Sequence, residues 1–311
     1  MQSVCTTTIE ISVKFMFRKN CCDGIYNSYD VHFTKFCDNK CAHCVDRNSI
    51  TANSGKPDWN AIARAIVDNQ DGFDDVLILG GEPCLFLHEM LYFITAIKQR
   101  TNLKIYCTSS VPKTCKDDPT FLDVLKLLDG FNMSVQHHDE EIADKIRGTV
   151  SQYDRQAFYR DIPMKEKIRI NLNIVKGYLD TKEMLVECLL HYDKMGFNSI
   201  KLSEIQHSTQ DFISFEEIFG IKMPSPFFGG CQTYIDTEKV LSVKLNTPLL
   251  LKRSCFICEE TLRASFMDGV KMIGKYLMRK PIIDNSHFGV VYEDGSIQKG
   301  WMKNETLQIV R

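Results

Sequence analysis

Three cysteines, Cys37, Cys41 and Cys44, stand in the stretch CDNKCAHC with three and then two residues between them. An odd number of closely spaced thiols suits metal ligation better than disulfide pairing. Such a loop can hold zinc as a knuckle completed by His43 or a distant residue. It can equally hold three irons of a [4Fe–4S] cluster, the fourth iron staying open to a small ligand with amino and carboxylate groups. A second stretch, GGEP from Gly80 to Pro83, ends the apolar run Val76 to Leu79, with glycines that let the backbone approach closely. A third set joins Cys231 to the CFIC pair Cys255 and Cys258. A CxxC pair with another cysteine one hairpin away is a metal site in outline, for an iron–sulfur cluster or zinc.

The bulk numbers set the frame for these sites. The 311 residues are 44% hydrophobic and 25% charged, with a formal net charge of −2. That is ordinary globular composition, and no lysine or arginine run marks a nucleic-acid or anionic-membrane surface. No stretch approaches the roughly 20 apolar residues of a membrane helix, and the first residues lack a signal-peptide core. The expected location is cytoplasmic. There the 13 cysteines are read as ligands, catalytic groups and buried small hydrophobes rather than as a disulfide framework. Cys107 and Cys188 fit burial; Cys21, Cys22 and Cys115 lie in polar surroundings and receive no role.

The elements that must position the sites follow from periodicity. Strands are expected at Tyr29 to Phe36, Val76 to Leu79, Leu103 to Cys107, Phe131 to Gln136, Ile168 to Val175 and Ser199 to Ile205, with helices between them. Asp58 caps the first helix. Asp180 and Glu183 have capping-box spacing before the last one, which Gly196 ends. Strand–helix units in series predict an α/β fold with a parallel sheet, curled by right-handed crossovers into a partial or full barrel. The first thiol loop then sits at the C-terminal edge of the first strand. After about residue 207 the rhythm changes to short strands, a helix over Glu260 to Met278, and a hairpin at Asp294–Gly295. The division expected is an N-terminal extension (1–27), a barrel (28–206) and a smaller α+β C-terminal domain (207–311).

CDNKCAHC resembles the CxxxCxΦC signature of radical S-adenosylmethionine (SAM) enzymes, with His43 at the usually aromatic position, and GGEP stands at the end of the second strand as it does in that family. The resemblance spans roughly residues 28 to 206 and implies a partial (β/α)6 barrel. It implies that Cys37, Cys41 and Cys44 ligate a [4Fe–4S] cluster, and that Gly80, Gly81 and Glu82 receive the amino group of SAM. Softer likenesses continue at Thr108 to Ser110, at SVQHHDEEIADKIRG and at NLNIVKG. They make Thr108, Ser134 and Asn171, with His43, SAM contacts; Gln136 departs from the usual aspartate. The resemblance further implies reductive cleavage of SAM to a 5′-deoxyadenosyl radical that abstracts hydrogen from substrate, with a flavodoxin- or ferredoxin-type reductant.

Cys231, Cys255 and Cys258 resemble the auxiliary [4Fe–4S] cluster of SPASM and twitch extensions, closer to the three-ligand twitch type, although the close pair here comes last. Members with such clusters often modify peptides, so a peptide substrate is the favoured reading. A small metabolite or nucleotide is the alternative, and a non-catalytic iron–sulfur or zinc protein is the alternative of another class. His137 and Glu204 are weak acid–base candidates beside the substrate.

Overall fold

A computed structural model of the chain describes residues 28–44, 56–197, 199–205, 210–214, 217–218, 249–252, 262–266, 272–279 and 288–298. In chain order the elements are β1 (Ser28–Thr34), α1 (Trp59–Asp68), β2 (Asp75–Gly80), α2 (Leu87–Lys98), β3 (Lys104–Ser109), α3 (Thr114–Asp117) and α4 (Thr120–Leu127). They continue with β4 (Gly130–Ser134), α5 (Glu140–Arg147), α6 (Arg155–Asp161), β5 (Ile168–Ile174), α7 (Lys182–Lys194) and β6 (Ser199–Glu204). After these come β7 (Leu249–Lys252), β8 (Leu262–Phe266), β9 (Met272–Arg279), β10 (Phe288–Val291) and β11 (Ile297–Gln298).

Strands β1 to β6 pair in sequence order, all parallel. Helices follow the strands, as the alternating pattern requires, and the sheet is the α/β partial barrel anticipated from sequence. Local chemistry explains the helix limits. Asp58 caps α1 by accepting from Ala61 N–H. Thr181, not Asp180, caps α7 by accepting from Met184 N–H, while the Asp180 carboxylate takes the Gly177 N–H at 2.6 Å. Gly196, at φ +89°, follows α7 where a left-handed residue is needed.

The two faces of the sheet differ. On β5, Ile168, Ile170, Leu172 and Ile174 are buried, while Arg169, Asn171 and Asn173 point to the other side and are half-buried. On β1, Phe33 packs against Trp59 of α1 and Phe93 of α2. Ser28, His32 and Thr34 alternate with it on the opposite face and are buried there. The helix-covered face is therefore apolar and the inner face polar. Parallel sheets usually bury apolar residues on both faces; a polar interior is the departure that leaves room for a polar ligand.

Strands from the last part of the chain extend this sheet at both edges. β10 pairs parallel with β1, and β9 pairs parallel with β6. The hairpin at Asp294–Gly295 forms as expected, with β10 and β11 antiparallel and Gly295 at φ +79°. The helix expected over Glu260 to Met278 does not form. That stretch holds β8 and β9, paired antiparallel, because the open edge of β6 offers β9 a ladder that a helix cannot use.

Candidate functional site

The loop leaving β1 carries the first thiol set to the C-terminal rim of the sheet. Cys37, Cys41 and Cys44 form no disulfide and are half-buried. The loop is held from outside and from within. Cys44 N–H donates to the Cys41 carbonyl at 3.2 Å, and Lys40 N–H donates to the Arg147 carbonyl at 2.8 Å. A Cβ at Gly148 would lie 2.9 Å from the Lys40 carbonyl, so glycine is what lets the end of α5 touch the loop. Burial pushes the Cys37 and Cys41 thiols up to about 12. Without a cation they stay protonated; a metal that displaces those protons meets three sulfur donors on one short loop.

β2 ends beside this loop. Gly81 N–H donates to the Thr34 carbonyl at 2.6 Å, and Glu82 N–H donates to the Phe36 carbonyl at 2.7 Å. The approach leaves no space for side chains. A Cβ at Gly81 would stand 2.1 Å from the Phe36 oxygen, and one at Gly80, where φ is +116°, 2.7 Å from the Thr34 oxygen. The two glycines thus serve the packing of the chain against itself. Their effect is to lace GGEP to the residues immediately before Cys37.

Glu82 is buried, and its carboxylate is saturated with donors. Oε1 accepts from Cys84 N–H at 3.0 Å and from the Ser109 hydroxyl at 2.6 Å. Oε2 accepts from Ser110 N–H at 2.7 Å and the Ser110 hydroxyl at 2.6 Å. Burial pushes its carboxyl up to about 8, against the pull of the Ser109 and Ser110 hydrogen bonds. One backbone N–H on each oxygen cannot reverse its role, so the donor set suits the carboxylate form.

The polar inner face continues the site. Ser134 ends β4 in register with Asn171 of β5, and Thr108 Oγ1 accepts from Asn132 Nδ2 at 3.2 Å. Asn173 Nδ2 lies 3.4 Å from His43 Nε2, which brings the top of β5 to the thiol loop. Burial lowers the His43 pKa and favours the neutral ring. Gln136, at φ +69°, and Asn171 each hold a buried side-chain oxygen without a hydrogen-bond partner. Each such acceptor costs about 1–3 kcal/mol until something donates to it. A ligand with hydroxyl and ammonium donors fits this rim.

The remaining residues singled out from sequence lie elsewhere. His137 is buried on the helix side, its ring stacked on His138, and Tyr192 of α7 donates to its carbonyl at 3.0 Å. His137, His138 and Cys188 bring one ligand atom each within 4.8 Å of one another. The two rings are nearly parallel, at 25°, so their in-plane lone pairs do not converge on one ion. Glu204 ends β6, in register with Ile174. Cys231, Cys255 and Cys258 lie outside the described residues.

Sequence reasoning passed over Asn39, Thr149 and Arg155, which tie the site together. Asn39 Nδ2 donates to Ser110 Oγ, 71 residues away. Arg155 donates to the carbonyls of Ser110 and Val111. No local pattern announces such contacts.

A parallel α/β partial barrel with a thiol loop after its first strand and a glycine-laced acceptor segment after its second defines a class of metal-dependent enzymes. The Radical SAM superfamily model matches residues 31–200, and the chain belongs to that superfamily. Its members bind SAM and a [4Fe–4S] cluster. Among solved structures, Streptococcus suis SuiB bound to S-adenosylmethionine is similar with a TM-score of 0.57 and 15% identity, over 91% of this chain and 63% of that one. A second structure of Streptococcus suis SuiB gives 0.54 and 14% over 91% and 63%. At these identities the likeness is one of fold, and the chain spans 63% of the length of SuiB. No curated protein matches the chain. Among the described residues no helix is long and apolar enough to cross a membrane.

Proposed function

We propose that Cys37, Cys41 and Cys44 hold the [4Fe–4S] cluster of a radical SAM enzyme that abstracts hydrogen from a peptide substrate. The observation that supports the site assignment is the backbone lacing of Gly81 and Glu82 to Thr34 and Phe36, at 2.6 and 2.7 Å, which brings GGEP beside the thiol loop. Held by Cys37, Cys41 and Cys44, such a cluster would supply the single electron for reductive cleavage of SAM to methionine and a 5′-deoxyadenosyl group that takes hydrogen from substrate.

The protein's part is ligation, orientation and exclusion of water. The carbonyls of Gly80 and Gly81 receive the SAM ammonium. Glu82, already saturated by four donors, positions that segment. The free oxygens of Gln136 and Asn171 accept from ligand hydroxyls, with Ser134 and Thr108 alongside. His43 faces the ligand as a neutral ring. The apolar helix-covered face keeps water from the back of the sheet.

The peptide reading rests on Cys231, Cys255 and Cys258 as ligands of a second cluster in a twitch-like domain over 207–311. A small metabolite or nucleotide is the other reading, favoured by the polar inner face, where Arg169 and Asn173 share a side with Asn171. Anaerobic reconstitution tests both parts. Wild type should release 5′-deoxyadenosine from SAM under reductant and hold twice the iron of a chain lacking Cys231, Cys255 and Cys258. Equal iron removes the second cluster and the peptide argument with it. Reductive cleavage at the wild-type rate by Cys41→Ala would remove the site assignment.

A further inference from the structure

Asn39 lies inside the cysteine loop, and each polar group for which a bond is seen reaches a different part of the site. Its backbone N–H donates to Cys37 Sγ at 3.4 Å. Its Nδ2 donates to Ser110 Oγ at 2.7 Å, and its Oδ1 accepts from the Thr149 hydroxyl at 2.9 Å. Ser110 in turn gives both its N–H and its hydroxyl to Glu82 Oε2, at 2.7 and 2.6 Å. Glu82 N–H returns to the Phe36 carbonyl, one residue before Cys37. The bonds close a ring: Cys37, Asn39, Ser110, Glu82, Phe36 and Cys37 again.

We infer that Asn39 is a positioning residue that holds the thiol loop and the ammonium-receiving segment at one fixed separation, and so sets how strongly SAM binds. The inference rests on the cluster assignment proposed above. Its physical basis is the direction of the bonds. With Glu82 as a carboxylate, the Ser110 hydroxyl commits its one proton to it, so toward Asn39 it can only accept. An amide nitrogen satisfies it; a carboxylate oxygen at the same place would face lone pairs and stand near a second carboxylate. Thr149 requires an acceptor on the other branch. Asparagine meets both demands in a planar group of fixed span. The N–H donated to Cys37 Sγ adds a hydrogen bond to a ligand sulfur, a lever on cluster potential.

The test uses the full chain, reconstituted anaerobically, with iron and sulfide content, SAM affinity by equilibrium dialysis, and the electron paramagnetic resonance spectrum of the reduced protein with and without SAM. Asn39→Ala should keep the wild-type iron and weaken SAM binding about tenfold, the worth of one or two hydrogen bonds. Its spectrum should change less on adding SAM. Asn39→Asp should weaken binding further and lower the cluster potential. Ser110→Ala should match Asn39→Ala, and the double variant should be no worse than either, because both cut one chain of bonds. Wild-type affinity and spectrum in Asn39→Ala would overturn the inference. So would multiplying losses in the double variant, or loss of iron from Asn39→Ala, which would make Asn39 a support of the loop alone. A wild-type chain that takes up no iron would instead fail the cluster assignment itself.

Discussion

Two sets of three cysteines lie close to Glu82, and they have opposite characters. Cys37, Cys41 and Cys44 sit half-buried on a rim loop, tied down by backbone bonds. Cys84, Cys107 and Cys115 are buried to 0, 0 and 3% exposure behind the same glutamate, in the main apolar core. Cys84 neighbours Cys107, Cys115 and Ser109, and burial drives the Cys107 and Cys115 thiols well above their usual range. The inner set comes from three separate segments facing helices, where an ion could not be hydrated or reached. It behaves as small hydrophobes with weak donors. The outer set comes from one loop open to the polar face. Cysteine chemistry here is decided by access and by which neighbours surround the sulfur, not by the number of thiols that meet.

The sharpest way to break that contrast is to remove one thiol from each set. Cys41→Ala should abolish iron binding at the rim and reduce SAM cleavage by at least about 100-fold, the loss expected when an activating group goes. Cys107→Ala should keep both and lose only about 1–2 kcal/mol of stability, from a small cavity. Iron content and 5′-deoxyadenosine release read the first, chemical denaturation the second. If Cys107→Ala also lost its iron, the inner set would have to be counted with the site.

Gly81 tests whether the rim depends on backbone contact. Gly81→Ala places a Cβ 2.1 Å from the Phe36 oxygen, so one strand end must move. A stability loss of about 3 kcal/mol or more is expected, together with loss of SAM binding. Gly177→Ala is the control: φ is +83° but nothing lies within 4 Å, so only left-handed strain of about 1 kcal/mol is expected, with SAM binding unchanged. Denaturant melts and equilibrium dialysis compare the pair.

Next in size is the brace beneath the loop. Arg147 is fully buried and pairs with Glu140 and Asp144, while its carbonyl receives Lys40 N–H. Arg147→Met should cost about 3 kcal/mol by leaving Asp144 without its cation and Glu140 with Arg155 alone, 3.5 Å away. It should weaken cluster retention only as far as the α5 end shifts. Iron loss on dialysis, measured beside thermal unfolding, separates the two effects.

The smallest effect is a pH dependence away from the rim. Burial lowers the His137 pKa from 6.5 to about 4. The unfolded chain therefore takes up this proton first as the medium is acidified. The stability contributed is full above about pH 6.5 and is lost as pH falls toward about 4. The melting temperature should drop by a few degrees between pH 7 and pH 5, and less in His137→Gln. Equal slopes would show that His137 is not the group responsible.

Much of this was legible along the chain because local rules carry it. The strand pattern, the Asp58 cap, the Gly196 stop and the Asp294–Gly295 hairpin each depend on a few neighbouring residues. Burial of Cys107 and Cys188 followed from their apolar surroundings. Other features were hidden for a physical reason. Cys115 looked polar from its neighbours and is buried, because α3 turns it inward. Glu260 to Met278 looked helical and forms strands, because pairing with β6 depends on an edge created more than sixty residues earlier in the chain.

The amino-acid sequence by itself determined the superfamily, the order of strands and helices, and the thiol spacing, since each is a matter of residue type at short range. The tertiary structure alone decided that the glycines of GGEP pack on the entry to the thiol loop, that Glu82 is spent on four internal donors, and that Asn39 meets Ser110 across 71 residues. Those contacts join segments whose separation along the chain carries no periodic signal. They form only when six parallel strands bring their C-terminal ends to one rim.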